Sequence, residues 1–198
     1  MNKDLNLAAI IMRKKPDYKS CKKHKIFDNL LKQNFTVNEK NKIWCTDFTY
    51  MRQPNGKFRY NCTIIDLFDR SAIASINSDY INTELAIGTL KKALEKEKPG
   101  NGIILHSDQG VQYTSWEFVK FCKDNGVTQS MSKAGYPYDN APMERFYNTF
   151  KRCFYYRYTF ESVEQLDEMT KQYINWYNYV RPHSANNYMT PMEVRYGA

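Results

Sequence analysis

Three acidic residues carry the chemistry that this chain could perform. Asp47 sits in the run Ile43-Trp-Cys-Thr-Asp47-Phe-Thr-Tyr50, and Asp108 ends the short apolar run that begins at Gly102. Glu144 lies near the start of Asn140-Ala-Pro-Met-Glu144-Arg-Phe-Tyr-Asn-Thr-Phe-Lys151, with 35 residues between it and Asp108. Brought together, three carboxylates repel and raise one another's pKa. Such a cluster is stable when ionised only around a divalent cation. Ligands that are all oxygen select Mg²⁺, with Mn²⁺ as a substitute, rather than Zn²⁺.

Each acid has an ordinary explanation when taken alone. Asp108 in Ser-Asp-Gln-Gly is turn chemistry, and Glu144 is a first-turn helix carboxylate near the positive end of the dipole. Asp47 is harder to dismiss, because aspartate is depleted in strands and its neighbours Trp44, Cys45 and Phe48 are apolar. Asp66 and Asp69 compete for the second position. Asp69-Arg70 reads as a turn between strands and Asp66 as a locally paired acid, so both rank below Asp108. His106 is expected to face substrate. Cys21-Lys-Lys-His24 resembles half of a zinc site, but no second Cys/His pair accompanies it. His183 lies too far along the chain to join the acids, and no phosphate-cradling glycine loop is present.

The elements that must position these residues are legible in outline. Residues 1–40 read as an irregular to weakly helical basic linker interrupted by Pro16. Strand patterns follow at about 42–53, 57–67 and 70–78, the first two joined by Pro54-Asn55-Gly56, a hairpin signal. A helix is expected over 82–97, with Leu85, Leu90 and Leu94 on one side, and Pro99-Gly100-Asn101-Gly102 stops it. A strand over 103–107 delivers Asp108. Thr114-Ser-Trp-Glu117 is a capping-box pattern for a helix ending near Gly126. A fifth strand covers 127–131, and the loop 132–139 leads to the helix holding Glu144, with Asn140 as its cap. Another helix spans 161–179, before Arg181-Pro182.

On the Glu144 helix, Met143, Tyr147, Phe150 and Phe154 form a packing stripe. Glu144, Asn148, Lys151 and Tyr155 form a second, polar stripe, with Lys151 placed to meet a phosphate. The order βββ-α-β-α-β-α-α predicts an α/β, RNase H-like fold: a five-stranded mixed sheet, three antiparallel strands followed by two added through helical crossovers, flanked by helices. The domain division is 1–40 as a basic arm, 41–180 as the core and 181–198 as a C-terminal tail.

Charge is distributed unevenly. Of the net +8, residues 1–42 carry 11 Lys/Arg against 4 Asp/Glu, and the remainder is almost neutral. The arm, densest around Lys14, Lys15, Lys22 and Lys23, suits a polyanion through phosphate contacts and counterion release. No apolar run approaches the ~20 residues that span a bilayer. Five scattered cysteines suit reduced thiols in a cytoplasmic protein rather than a disulfide framework.

Four ordered motifs then resemble one family. Trp44-Cys-Thr-Asp47-Phe-Thr-Tyr50, His106-Ser-Asp108-Gln-Gly-Val-Gln-Tyr113, Asp139-Asn-Ala-Pro-Met-Glu144-Arg-Phe…Lys151 and Tyr177-Asn-Tyr-Val-Arg181-Pro-His-Ser…Thr190-Pro-Met-Glu-Val are similar to those of bacterial insertion-sequence DDE transposases. The type is the one encoded by a frameshifted second reading frame, with a retroviral-integrase-like catalytic core, and the likeness covers about residues 38–195. It departs from the pattern twice. A preceding helix-turn-helix region is represented by at most its tail, and Ala185-Asn-Asn-Tyr-Met stands where Leu-Gly is commoner.

The resemblance implies that Asp47, Asp108 and Glu144 are catalytic and bind two Mg²⁺ ions, ~3.5–4 Å apart when DNA is bound. It implies hydrolytic nicking of transposon-end double-stranded DNA, followed by strand transfer through transesterification, by a homo-oligomer assembled on DNA in the bacterial cytoplasm. Lys151, Asn148, His106, Gln109 and Tyr113 are expected to contact DNA. The competing expectations are an RNase H-like nuclease that cuts without joining and a catalytically silent DNA-binding fragment.

Overall fold

The computed structural model describes residues 25–53, 55–100 and 102–197 of the 198-residue chain. Lys14, Lys15, Lys22 and Lys23, the centre of the expected basic arm, and the Cys21–His24 pair lie outside the described residues.

Five strands form one mixed sheet in the order β3-β2-β1-β4-β5. β1 (Ile43–Arg52), β2 (Phe58–Asp66) and β3 (Ala72–Ser78) are antiparallel neighbours. β4 (Ile103–Ser107) and β5 (Val127–Met131) add in parallel on the other side of β1. The β1–β2 hairpin closes with Gln53 N donating to Lys57 O at 2.8 Å, and Gly56 supplies the positive φ of 82° that the turn requires. This is the RNase H-like strand order expected from the pattern, with boundaries within two residues.

Among the described residues six helices flank the sheet: α1 (Thr83–Glu97), α2 (Val111–Thr114), α3 (Trp116–Asp124), α4 (Ala141–Cys153), α5 (Val163–Tyr179) and α6 (Pro191–Tyr196). Asn82 caps α1 by accepting from Leu85 N, and Ser162 caps α5 by accepting from Gln165 N. α3 starts one residue later than its sequence pattern suggested, because the oxygen that accepts from Phe118 N is that of Ser115.

Strand alternation sorts the two layers. Trp44 and Ile64 face one core with Leu90 of α1 and Phe118 of α3. Cys45, Met51 and Ile65 face a second core built from Met143, Phe146 and Phe150 of α4 with Leu166 and Tyr173 of α5. Asp47 shares parity with Cys45 and Met51 and therefore belongs to the α4 side.

Both ends of the described stretch are built into the domain. Leu31 is buried, Leu30 N donates to Ser130 Oγ at 3.0 Å, and Met131 N donates to Asp28 O at 3.2 Å, so residues 28–31 cover the outer edge of β5. At the other end α6 carries a complete capping box, Thr190 with Glu193, and inserts Arg195 among three acids.

Candidate active site

The register of β1 and β4 determines where the acids meet. The parallel ladder pairs Ile43 with Ile104, Trp44 with Leu105 and Cys45 with His106. Two residues further along both chains stand Asp47 and Asp108, side by side where the strands separate. That position, at the carboxyl end of a parallel strand beside a split in the sheet, is where open α/β sheets form clefts.

α4 is pinned across the split by two hydrogen bonds. Asn140 Nδ2 donates to Thr46 O at 3.3 Å, and Tyr147 OH donates to Asp47 O at 2.8 Å. Asn140 thus ties the helix to β1, and its side chain makes no capping bond to the helix N-terminus as the sequence had suggested. Between the two pins lies Glu144. Asp47, Asp108 and Glu144 line one open groove of about 570 Å³, together with Gln109, Asn148 and Lys151.

The electrostatics of the pair are strained. The Asp47 carboxyl is pushed up to about 7, first by burial and then by the charge of Asp108, against the pull of Phe48 N–H and Lys151. Asp47 Oδ1 accepts from Phe48 N at 2.7 Å, and Asp108 Oδ1 accepts from Gly110 N at 2.9 Å. Gly110 leaves that carboxylate room: a Cβ there would stand 2.9 Å from the same Asp108 oxygen, which would have to shift. Lys151 Nζ lies 4.6 Å from the centre of the Tyr50 ring, which holds the ammonium at the groove.

Among the described residues, no three His, Cys, Asp or Glu side chains are gathered closely enough to hold a metal ion as they stand. The donor set nonetheless fits a hard divalent cation. The three acids present oxygen donors, and the carboxyl of Asp47, raised first by burial and then by the charge of Asp108, is one that a bound cation would hold ionised.

Two expected DNA contacts are corrected. Tyr113 is 1% exposed, and its OH lies 3.1 Å from Thr46 Oγ1, on the face of β1 opposite Asp47. It stacks on Phe48 and belongs to the core of the other layer. His106 is fully buried: its Nε2 donates to Asp139 O at 2.9 Å, so Nδ1 is the acceptor for Ser130 Oγ at 2.9 Å. Burial lowers its pKa and keeps the ring neutral.

The competing acids are accounted for elsewhere, since Asp66 and Asp69 are buried against Arg195. His183 is buried under the Tyr177 ring, far from the acid pair in its contacts. Sequence inspection placed Asp139 in the third motif but gave it no role. Its carboxylate accepts from Gln33 Nε2 at 2.8 Å and Lys133 N at 3.1 Å, anchoring the loop that forms one wall of the groove. Its place at the head of that motif was the only signal, and it did not say what the carboxylate binds.

A split mixed sheet of this order, with acids on β1, after β4 and on α4, defines an RNase H-like domain. Its residues 37–137 and 125–191 match two models described as Integrase core domain. It is 37% identical to the transposase for insertion sequence element IS904 of Lactococcus lactis, over 83% of this chain and 65% of that protein. A transposase-like protein of Haemophilus influenzae is 37% identical over 86% of this chain and 78% of its own length. InsK of the Escherichia coli element IS150, a putative transposase, is 33% identical over 84% and 59% respectively. The chain thus spans somewhat under two thirds of several of the curated relatives it matches.

Among solved structures, a simian T-cell lymphotropic virus intasome chain superposes with a TM-score of 0.73 at 17% identity, over 87% of this chain and 59% of that one. The HTLV-2 integrase catalytic core, solved with magnesium, superposes at 0.62 and 16% identity, over 80% and 98%. The chain belongs to the integrase core domain family and is related to insertion-sequence transposases.

Proposed function

We propose that this chain carries the DNA-cutting and DNA-joining centre of an insertion-sequence transposase. The observation that carries the reading is the groove that Asp47 and Asp108, each two residues past the last β1–β4 pair Cys45–His106, line together with Glu144 of α4. Asp47, Asp108 and Glu144 are the residues that would hold Mg²⁺ or Mn²⁺, two ions when DNA is bound. Such ions supply charge neutralisation at the scissile phosphate and activation of an attacking oxygen.

The chain's own residues do the positioning. Asp47 on the central strand β1 and Asp108 just past β4 offer their oxygens to one groove, while Tyr147 and Asn140 hold α4 so that Glu144 lines it too. Lys151, oriented by the Tyr50 ring, offers an ammonium to a non-bridging phosphate oxygen. Gln109 and Asn148 line the same groove and offer amide donors to the backbone. Nicking of a transposon end by water and joining by the freed 3′-hydroxyl use the same constellation, because both are in-line displacements at phosphorus. The expected partner is double-stranded DNA, with a homo-oligomer assembled on it in the bacterial cytoplasm. Residues 41–180 would form the catalytic core, with residues 28–31 and α6 packed onto it, and the basic residues within 1–40 would add phosphate contacts.

The test is cleavage and joining of a labelled duplex with Mn²⁺, comparing the wild type with Glu144→Gln. Activity that disappears in the variant supports the assignment, and joined products separate a transposase from a nuclease. Equal activity in both proteins overturns it.

A further inference from the structure

The groove of the acids continues around α4. Glu144 and Asn148 line both the acidic groove and a neighbouring one walled by Arg145, Arg152, Arg157 and Arg181. None of these four guanidiniums forms an ion pair with a described residue. Arg157 Nε donates to Arg152 O at 3.0 Å, Arg181 Nη1 donates to Pro182 O at 3.3 Å, and the Arg181 guanidinium sits over the Tyr177 ring. Four uncompensated cations against one carboxylate, Glu144, make this surface a phosphate track.

The track opens into a narrow pocket of about 260 Å³ that shares Arg145 and Arg181 with it. Phe35, Ile65, Phe146 and Tyr177 wall the pocket, and no carboxylate lines it. Arg70 reaches in from the turn after β2. Its Nη2 donates to Phe35 O at 2.9 Å, and its Nη1 is buried with no hydrogen-bond partner among the described residues. A buried, unsatisfied guanidinium donor in an apolar-walled pocket is costly unless a ligand completes it.

The pocket is too narrow for a duplex and slightly below the size that encloses a drug-like ligand, which is the scale of one planar heterocycle. A phosphate alone would leave the apolar walls unused. We infer that the arginine track and its pocket take a single-stranded DNA segment, with phosphates on Arg145 and Arg181 and one unstacked base in the pocket. Arg70, which lines the pocket, then stands beside the base. The unpaired base is the requirement: paired bases stay inside the duplex stack and cannot enter. This rests on the reading that the acidic groove receives DNA, and it adds that the strand leaving that groove is unpaired.

The experiment measures binding by fluorescence anisotropy in EDTA, where no cutting occurs. Its probes are a blunt labelled duplex and the same duplex carrying a short single-stranded tail. The wild type should bind the tailed probe about fivefold or more tightly, the lower end of what one sequestered base contributes. Thr149→Phe fills the pocket from α4 and Ala185→Phe fills it from the opposite wall. Each should abolish the tail preference while leaving blunt-duplex affinity within about twofold.

Arg145→Ala/Arg181→Ala should reduce the slope of log affinity against log salt by about one to two. Lys120→Ala/Lys123→Ala, on exposed α3, removes the same charge as a comparison. Equal binding of the two probes, retained preference in whichever pocket variants keep the wild-type unfolding transition, or an equal slope change in the lysine pair overturns the inference. Because the readout needs no metal, a failure here leaves the Glu144→Gln cleavage result to judge the catalytic reading separately.

Discussion

Replacing Arg195 by Met should cost this domain a large share of its stability, although the residue lies three positions from the end of the chain. Arg195 Nη1 donates to Asp66 Oδ2 at 3.0 Å and to Asp69 Oδ2 at 2.5 Å, and Nη2 donates to Asn41 Oδ1 at 2.8 Å and to the Glu97 carboxylate. The Asp66 and Asp69 side chains are fully buried and the Arg195 side chain is 2% exposed. Methionine fills similar volume, so the perturbation is electrostatic: it strands two buried carboxylates without their cation. Breaking a buried ion pair from one side costs about 3–5 kcal/mol, against a total of about 5–15 kcal/mol for a domain. At roughly 2–4 °C per kcal/mol for this size, the midpoint should fall by roughly 6–20 °C.

The sign of the pH dependence sharpens the test. Burial already pushes the Asp66 carboxyl above its ordinary value, opposed by the hydrogen bonds from Phe68 N and Asn41 N and by Arg195. Without Arg195 the folded-state pKa rises further. A carboxyl with a raised folded pKa is destabilising when ionised, and that cost grows as pH climbs from the unfolded pKa towards the folded one. The variant should therefore lose most near pH 7 and approach the wild type near pH 4.5. Urea unfolding followed by far-UV circular dichroism at both pH values measures this, and Asp66→Asn/Asp69→Asn in the variant background should recover part of the loss. A loss under about 1 kcal/mol at pH 7, or one that does not shrink in acid, would refute the reasoning.

Other expectations concern the acid pair and its supports. Asp47, with its pKa near 7, is ionised to roughly one tenth at pH 6 and nine tenths at pH 8, so Mn²⁺-dependent cleavage at subsaturating metal should rise about tenfold across that range. For the same reason Asp47→Asn should abolish cleavage yet stabilise the fold by about 1–3 kcal/mol at pH 8, with the gain vanishing near pH 4 in thermal melts. Gly110→Ala places a methyl against the Asp108 carboxylate and should weaken metal-dependent cleavage with little change in melting temperature, as a metal titration of activity would show. Tyr147→Phe removes the hydroxyl that ties α4 to Asp47 O and should cost about 0.5–1.5 kcal/mol in urea titrations.

Much of this molecule is legible in its sequence because periodicity and punctuation agree. The strand-like run of β1, the Asn-Gly turn and the helical pattern over 82–97 stopped by Pro99-Gly100 all point to the elements observed. Asp47 stands out in the sequence because an aspartate amid Trp44, Cys45 and Phe48 is costly to bury unpaired. What escapes is whatever depends on register and layer. His106 and Tyr113 sit within five residues of Asp108, and sequence proximity suggested that both face the groove. Strand alternation and the α2 turn send Tyr113 to the opposite layer, and His106 is enclosed by Ser130 and Asp139 from β5 and the loop beyond. α6 is short, and its capping box at Thr190–Glu193 was read only as part of a motif. The role of Arg195 could not be foreseen because its three acids lie 98 to 129 residues away in the chain.

These buried polar contacts explain how a strained acid pair is kept in place. Asp47 and Asp108 repel, and the sheet is split where they stand, so the local structure has reason to open further. On one side α4 is tied to β1 at Thr46 and Asp47 by Asn140 and Tyr147. On the other, a chain of hydrogen bonds runs from Leu30 N through Ser130 Oγ to His106 and on to Asp139 O, while the Asp139 carboxylate collects Gln33 Nε2 and Lys133 N. The segment entering from residue 28 is thereby fastened to the loop that walls the groove. His106 then serves as a neutral strut beneath Asp108, and both its ring nitrogens are committed to protein. Its replacement by Ala should loosen the loop and lower cleavage while leaving the charge of the site unchanged, so the pH profile should keep the wild-type midpoint near 7 at a reduced amplitude. A shifted midpoint would instead mean that His106 titrates with the reaction, and its place as a buried strut would have to be abandoned.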